Sequence, residues 1–371
     1  MNENDPVQPC VAVCTEKKSA SIDANQGRIA GLDGLRALSV MVVFLHHTGL
    51  VPIHGGFIGV DVFFVLSGYL ITMLLIREYD KKGKIEFALF YLRRTRRLYP
   101  ALLFFLFSIA IYAWIFKPPF NTSLEIIPAL LYVMNWVCAF GSYDAVMTGH
   151  TWSLAIEQQF YLLWPIVLTL LFRLCPQHRI TVLINLTIIV ILWRVYLTNI
   201  HTSPSRTYCG FDTHSDGLLM GALLAHIRRS WMEKLGKAWI IAVAYLIFVL
   251  STNSGNDFAV TSAGFAMTAA ASATLIAKIL VAQQSQLTHL LDWPPLAGLG
   301  VISYGFYLWH YAVIHVLLYS GYEQLGAFFG GFAYPDTAML ASAFAVTLAI
   351  TLASWFLIES PILKYRKNRK L

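Results

Sequence analysis

Residues 151–165 read TWSLAIEQQFYLLWP, an apolar and aromatic segment that carries a single carboxylate, Glu157, near its middle. An ionised side chain in the hydrocarbon of a membrane costs about 3 kcal/mol or more. Because a buried polar site is the usual way to offset that cost, the segment predicts a membrane helix with a functional residue inside it.

The composition of the whole chain agrees with this interpretation. Of its 371 residues 57% are hydrophobic and only 13% are charged, and the mean hydropathy is +0.61. Globular domains carry about 25% charged residues. Apolar runs of membrane-crossing length recur from end to end, which predicts an all-α polytopic membrane protein without a second soluble domain.

The net charge of +7 reflects basic residues in short loops between apolar runs, where they set orientation in the membrane and do not indicate a nucleic-acid partner. The five cysteines are scattered, so we expect neither a zinc site nor a disulfide framework. The polar residues 1–30 contain no apolar core ahead of a cleavage site, so we expect a disordered cytoplasmic tail and no removable signal peptide.

Eleven apolar segments can be marked, and the charge pattern decides how many cross. Residues 77–97 carry eight Lys and Arg residues and should be cytoplasmic. Segment 124–140 contains Glu125 and Pro128 and is the weakest candidate. If it is re-entrant or lies on the surface, ten helices cross, nearly all of the 27 basic residues lie inside, and both termini, including the basic tail 362–371, are cytoplasmic. Residues 84–97 mix apolar side chains with four arginines, which predicts a short interfacial amphipathic helix.

The first span places two polar residues on one face. Arg36 and His47 are eleven positions apart, so on a helix they are separated by only about 20° around the axis and about 16 Å along it. Arg36 then lies at the cytoplasmic boundary and His47 near mid-bilayer. The alternative is a boundary arginine that binds lipid phosphate and a core histidine bonded to a neighbouring helix.

An arginine cluster follows the second span. Arg93, Arg96 and Arg97 share one helical face, and arginine forks suit phosphate groups. We interpret the face as a dock for a polyphosphate ligand such as a coenzyme A thioester. The alternative is orientation in the membrane and binding of anionic lipids.

Further polar residues are predicted to meet near mid-bilayer or at the outer edge. By helical rise, Glu157 and His310 reach roughly the depth of His47, as a purely structural carboxylate–histidine bond would also require. Asp61, Asp212, His214 and Asp216 cluster near the outer edge, where a solvated turn and helix cap is the alternative. Arg194, deep in the sixth span, is expected to meet one of these acids. Gly56 and Gly59 allow another helix to approach closely.

These motifs together resemble the membrane acyltransferase-3 family, which includes bacterial O-acetyltransferases of O-antigen and other surface glycans. The resemblance covers residues 31–361, so this range is predicted to be one integral-membrane acyltransferase domain. The pieces occur in the family's order: GLDGLRAL with its histidine, GVDVFFVLSGYLIT, RRTRRLYP, TWSLAIEQQFYLLWP, HSDGLLMGALLA, ISYGFYLWH and ESP.

The resemblance implies roles for individual residues. The family's arginine–histidine motif falls on Arg36 and His47, and its serine-glycine motif falls on Ser67. The R-x-x-R motif falls on Arg93 and Arg96, although Arg94 and Arg97 fit the same spacing. The acidic residue after WSL falls on Glu157. The implied donor-binding residues are Arg36, Arg93, Arg96, Arg97 and Ser67.

The implied reaction transfers an acyl group, most simply acetyl, from cytoplasmic acyl-CoA to a hydroxyl of a cell-surface or exported carbohydrate such as lipopolysaccharide. His47 would be the general base and Glu157 would orient it. The acceptor would meet the residues Asp61, Trp152, Tyr161, Asp212, His214, Asp216 and His310. Acetyl-CoA is then a co-substrate, with no bound cofactor or metal, and the protein is expected in a bacterial inner membrane.

Alternatives to this reaction stay open at this point. An acyl-enzyme through Ser153 or Ser67 is an alternative to direct transfer. A glycolipid or polysaccharide transporter or flippase would also place polar residues at mid-bilayer, although no inverted repeat supports it. A receptor would use the same residues only for helix packing. The acceptor sugar and the oligomeric state are not readable from the sequence.

Overall fold

The computed structural model describes residues 28–252, 263–320 and 336–368. Within these ranges all regular structure is helical, so the predicted all-α class is confirmed. Most of the predicted amino-terminal tail and the end of the basic tail lie outside the described residues. The helices are α1 (Leu32–Thr48), α2 (Ile58–Lys82), α3 (Phe87–Phe116), α4 (Thr122–Leu130), α5 (Met134–Ala139), α6 (Trp152–Leu174), α7 (Arg179–Asn199), α8 (Pro204–Cys209), α9 (Phe211–His214), α10 (Asp216–Leu224), α11 (Arg229–Gly236), α12 (Trp239–Thr252), α13 (Phe265–Val281), α14 (Gln286–Leu291), α15 (Pro294–Val301), α16 (Ser303–Ile314), α17 (Asp336–Ser354) and α18 (Ser360–Asn368).

Five helical stretches in the described ranges are long and apolar enough to cross a membrane. They are Ile58–Lys82, Phe87–Phe116, Gly149–Leu174, Arg179–Asn199 and Thr337–Lys364. A sixth span results if α11 and α12, which meet at 56°, count as one. Several membrane-spanning helices are therefore present, but the predicted number of about ten is not confirmed. Other apolar segments form helices that are too short, such as α1 and α13 with 17 residues each.

The arginine-rich segment is part of a long helix. α3 runs for 30 residues through the arginines and through Pro100. The prediction of a separate interfacial helix at 84–97 is therefore wrong. The helix is continuous because no glycine interrupts residues 87–116 and because a proline inside a membrane helix is tolerated. The arginines form the first turns of a spanning helix.

Segment 124–140 does not form one span. It divides into α4 with 9 residues and α5 with 6 residues, and Tyr132 between them has a positive φ of 53°. Asn121 caps α4 by accepting hydrogen bonds from the backbone N–H groups of Ser123 and Leu124. The sequence interpretation that this segment is the weakest candidate therefore agrees with the structure.

A disulfide joins Cys138, in α5, to Cys209, in α8. The expectation that the chain has no disulfide was wrong. The two cysteines are 71 residues apart, so their spacing in the sequence gave no signal, and only the packing of α5 against α8 brings them together.

Helix α2 lies at the centre of the bundle, in contact with α1, α6, α10, α12 and α13. Its glycines allow the close approach that the sequence predicted. A Cβ on Gly59 would lie 2.3 Å from the backbone oxygen of Ser39 in α1. A Cβ on Gly68 would lie 2.0 Å from the backbone oxygen of Leu218 in α10. Because these backbones touch, α2 presents its polar residues at short distance to its neighbours.

The outward faces of the long helices are apolar. α7, for example, buries Leu183, Thr187, Arg194 and Leu197 but exposes a face that includes Ile189 and Leu192. An outward face of exposed isoleucine and leucine is typical of a helix that faces lipid.

Candidate functional site

A cavity of about 60 Å³ lies between α1, α2, α3, α6 and α16. Its polar lining comes from four of these helices, with aromatic and aliphatic side chains of α2, α3 and α6 between them. The polar residues that line it are Arg36, Arg94, Arg97, Ser153, Glu157, Tyr161, Ser303, Tyr304 and Tyr307. Residues from distant parts of the chain therefore converge on one space inside the bundle.

Three arginines line the cavity: Arg36, Arg94 and Arg97. In the described part of the chain none of them forms an ion pair within 4.0 Å. The guanidinium of Arg94 lies over the ring of Tyr161 at 5.2 Å, and the buried Nε of Arg36 has no hydrogen-bond partner. Three cations without carboxylate partners around one cavity are suited to an anion with several charges, such as a polyphosphate.

The structure distinguishes between the two candidate R-x-x-R pairs. Arg94 and Arg97 line the cavity, whereas Arg93 and Arg96 do not. Of the predicted donor-binding arginines, Arg36 and Arg97 therefore line the cavity, and of the two pairs with the R-x-x-R spacing it is Arg94 and Arg97 that lie there. A helical face fixes the relative positions of the arginines but not the rotation of α3 against its neighbours.

Glu157 accepts hydrogen bonds at one oxygen, Oε1, from the hydroxyl groups of Ser67 in α2 and Tyr161 one turn later in α6. Ser67 and Tyr161 are therefore brought together with Glu157, as predicted for members of one site. The expected contact between Glu157 and His47 is not formed in the described residues, because His47 has a different partner.

That partner is His310. Nδ1 of His47 lies 2.9 Å from Nε2 of His310, and the two rings stack with centroids 5.1 Å apart. Nδ1 of His310 lies 2.6 Å from the backbone oxygen of Tyr307. His310 is fully buried and His47 is half-buried. The predicted convergence of His47 and His310 at one depth is thus present, while Glu157 lies apart from them on the cavity wall.

Tyr307 connects the cavity to the histidine pair. Its hydroxyl lies 2.6 Å from Oγ of Ser153 and donates to the backbone oxygen of His150 at 3.0 Å. Ser153 and Tyr307 both line the cavity, and the backbone oxygen of Tyr307 faces His310. Tyr307 therefore contacts both Ser153 at the cavity and His310, whereas Glu157 is bonded to Ser67 and Tyr161.

The sequence analysis missed His150 and Tyr307, and it named Arg94 only as an alternative member of the R-x-x-R pair. The ring of His150 lies 5.3 Å from that of His310, and its Nε2 donates to the backbone oxygen of Leu308 at 3.1 Å. His150 directly precedes the TWSL motif, and Tyr307 lies one helical turn before His310. Their proximity to recognised motifs was the available signal.

The acids near the outer edge are paired inside the protein. Asp216 binds the guanidinium of Arg194 through both oxygens at 2.8 Å, which confirms that Arg194 meets one of these acids. Oδ1 of Asp61 lies 2.8 Å from Nε2 of His214, whose Nδ1 lies 2.7 Å from the backbone oxygen of Tyr208. At most 2% of each of these four side chains is exposed.

In this conformation Asp61, His214 and Asp216 therefore expose almost no surface that an acceptor could contact. The physical reason is that a charged side chain buried away from water is costly unless it is paired with another charged or polar group. Trp152 is also buried and packs against Tyr208 at 4.5 Å. Asp212 differs, because 35% of its side chain is exposed while it binds Arg206 and the indole N–H of Trp193.

Comparisons with known proteins agree with the motifs. A family model described as an acyltransferase domain matches residues 29–359. The chain is similar to the O-acetyltransferase OatA of Staphylococcus aureus, with 37% identity over 315 residues that cover 80% of this chain and 52% of that protein. It is also similar to the peptidoglycan O-acetyltransferase OatA of Listeria monocytogenes, with 35% identity over 309 residues, 77% of this chain and 49% of the relative.

The chain spans about half the length of the curated relatives it matches. No solved structure matches it.

Proposed function

Since the chain belongs to the acyltransferase-domain family, we propose that it transfers an acyl group, most simply acetyl, from cytoplasmic acyl-CoA to a hydroxyl of a cell-surface or exported carbohydrate. The observation that carries this proposal is the cavity with three arginines, connected through Tyr307 to the pair His47–His310. On this proposal the arginines form the anion site and His47 is the basic group, with Tyr307 between the cavity and the histidine pair.

The arginines account for the donor. Arg36, Arg94 and Arg97 hold the phosphates of coenzyme A, because guanidinium forks bind phosphate oxygens in pairs. The pantetheine arm then extends along the cavity towards Ser153 and Tyr307. Ser67 and Tyr161 hold the carboxylate of Glu157 beside this path, where it limits the electrostatic repulsion among the arginines.

The transfer step needs one base. His47 takes the proton of the acceptor hydroxyl, whose oxygen attacks the thioester carbonyl carbon. The carbon–oxygen ester bond forms, the carbon–sulfur bond breaks, and the leaving thiolate receives the proton from His47. Direct transfer needs no covalent enzyme intermediate. An acylated Ser67 or Ser153, trapped without acceptor, would instead support the two-step route.

The acceptor is a surface glycan. The name of the Listeria relative specifies peptidoglycan, so peptidoglycan is the first acceptor to test and lipopolysaccharide the second. We propose that the bundle crosses the inner membrane about ten times with both termini in the cytoplasm, because this arrangement places the arginine-rich start of α3 on the side where acyl-CoA is available. In this arrangement segment 124–140 is re-entrant or lies on the outer surface.

The central experiment measures transfer of labelled acetyl from acetyl-CoA to peptidoglycan by membrane vesicles. We expect His47→Ala to lower the transfer rate by about 100-fold or more, since general-base catalysis contributes about that factor. Normal transfer by His47→Ala contradicts the assignment. Movement of a glycan across the membrane without acetyl transfer in the wild-type protein favours the transporter alternative.

A second experiment tests the donor site. Each of Arg94→Ala and Arg97→Ala should raise the KM for acetyl-CoA by about 10-fold, because a charge-assisted hydrogen bond contributes about 1.5 kcal/mol or more. Arg96→Ala on the same helix is the matched comparison and should leave KM unchanged, since Arg96 does not line the cavity. The opposite result would assign donor binding to the other R-x-x-R register.

A further inference from the structure

The contacts of His310 determine where its proton lies. Its Nδ1 is 2.6 Å from the backbone oxygen of Tyr307, and a carbonyl oxygen can only accept a hydrogen bond. Nδ1 of His310 therefore carries a proton. In a neutral imidazole the other nitrogen then has a lone pair, so Nε2 of His310 is an acceptor.

The lone pair on Nε2 of His310 in turn determines the tautomer of His47. Nδ1 of His47 lies 2.9 Å from Nε2 of His310, so in the neutral pair it is His47 that donates. The proton of neutral His47 is then on Nδ1, and its lone pair is on Nε2. In the described residues no group forms a hydrogen bond with Nε2 of His47, and His47 as a whole is half-buried.

The other groups around His47 do not compete for this role. The ring of His46 lies 5.6 Å away, and its Nδ1 is bonded to the backbone oxygen of Ile53 at 3.1 Å. Tyr311 approaches the ring of His47 edge-on at 5.0 Å. Glu157 is occupied by Ser67 and Tyr161. His310 is the group that faces a nitrogen of His47 at hydrogen-bond distance.

We infer that His310 is a positioning residue that fixes His47 in the Nδ1–H tautomer and so makes Nε2 of His47 the atom that accepts the proton of the acceptor hydroxyl. The inference rests on the proposed function and assigns to His310 the orienting role that the sequence analysis gave to Glu157. Tyr307 acts behind it, because its backbone oxygen fixes the tautomer of His310.

The same geometry handles the proton during transfer. When Nε2 of His47 receives the proton of the hydroxyl, the pair gains one positive charge. The hydrogen bond from Nδ1 of His47 to Nε2 of His310 stabilises the imidazolium of His47, as a hydrogen-bond acceptor behind a catalytic histidine does in other acyl-transfer sites. The proton returns through Nε2 of His47 to the leaving thiolate, so the pair ends the cycle neutral.

Kinetics provide the first test. His310→Leu removes the hydrogen-bond acceptor of Nδ1 of His47. We expect kcat for acetyl transfer to fall by about 100-fold with an unchanged KM for acetyl-CoA. His310→Gln can place its amide oxygen near the position of Nε2 and should restore at least a tenth of wild-type kcat. His226→Leu is the matched control, since His226 is also a histidine within the bundle whose Nδ1 contacts a backbone oxygen, that of Ala222 at 2.9 Å, and it lies outside the site.

The tautomer provides a readout that does not depend on activity. In protein with ¹⁵N-labelled histidine, the ring nitrogens of His47, identified by their loss in His47→Ala, should show a protonated Nδ1 and an unprotonated Nε2. In His310→Leu the other tautomer should become populated. An Nε2–H tautomer of His47 in the wild-type protein, or a wild-type kcat in His310→Leu, overturns the inference.

The proposed function and the positioning role of His310 can each be contradicted without the other. If the wild-type protein transfers no acetyl group, the proposed function fails, while the nitrogen spectrum still decides whether His310 fixes the tautomer. If His310→Leu does not fold, the wild-type spectrum and the His310→Gln kinetics decide the inference.

Discussion

Glu125 is a buried carboxylate whose role the sequence did not show. Its two oxygens accept hydrogen bonds from the backbone N–H groups of Val146, Met147 and Thr148 and from the hydroxyls of Thr148 and Tyr143. The segment it holds leads directly to His150 and the start of α6. Glu125 therefore supports the candidate site from a distance, and the cost of burying it is offset by five donors.

We predict that Glu125→Gln destabilises the protein by about 2 kcal/mol or more, because one oxygen becomes an amide donor that faces other donors. The thermal unfolding midpoint of the purified protein measures the effect. Glu233→Gln is the control, since Glu233 forms an exposed ion pair with Arg229 that contributes less than about 1 kcal/mol. Equal midpoints for both variants would contradict the role of Glu125.

At the scale of elements, the crossing of α2 and α10 depends on glycine. A Cβ on Gly221 would lie 2.1 Å from the backbone oxygen of Val65, and Gly68 makes the reciprocal approach to Leu218. Because backbone atoms cannot move aside like the end of a side chain, any larger residue must separate the helices. α2 carries Ser67, so the crossing also determines where Ser67 meets Glu157.

We predict that Gly221→Ala destabilises the protein by about 1–3 kcal/mol through overpacking. Gly298→Ala is the matched control in α15, since nothing lies within 4 Å of a Cβ at that position, and it should be neutral or stabilise the helix by up to about 1 kcal/mol. Thermal unfolding of the two variants separates a packing constraint from a general preference for glycine. A stable Gly221→Ala variant would show that the helices can separate without cost.

The disulfide between α5 and α8 is a second contact between elements. Both cysteines lie on the side that the proposed topology places outside the cytoplasm, where disulfides form and persist. We predict that peptides containing Cys138 and Cys209 are found linked when the unreduced protein is digested. Cys138→Ser should lower stability by up to about 4 kcal/mol for a loop of 71 residues, whereas Cys175→Ser, at a free cysteine, should not. Free thiols at Cys138 and Cys209, in protein purified from cells whose outer compartment is oxidising, would contradict the proposed orientation.

At the scale of the whole molecule, the proposed function and topology together predict a direction of transfer. Coenzyme A does not cross a membrane, so the proposed donor would have to enter from the cytoplasmic side, where the proposed topology places the arginines. We predict that acetyl transfer to peptidoglycan occurs in inverted membrane vesicles, whose cytoplasmic face meets added acetyl-CoA. Right-side-out vesicles should transfer acetyl only after permeabilisation. Equal rates in both kinds of intact vesicle would contradict the proposed sidedness.

The sequence by itself determined the membrane class, the all-α architecture, the shared face of Arg36 and His47 and the motifs of the family. These follow from hydropathy and from the fixed helical period, both of which are local properties. It also predicted that His310 reaches the depth of His47 and that Arg194 meets an outer acid, because helical rise converts position into depth.

Only the tertiary structure decided which side chains meet. Helical spacing places residues on a face but does not fix the rotation of one helix against another, so Arg94 and Arg97 line the cavity in place of Arg93 and Arg96. In the same way Glu157 meets Ser67 and Tyr161, and His47 meets His310. These partners were set by backbone contacts such as those at Gly59 and Gly68, which depend on residues far apart in the chain.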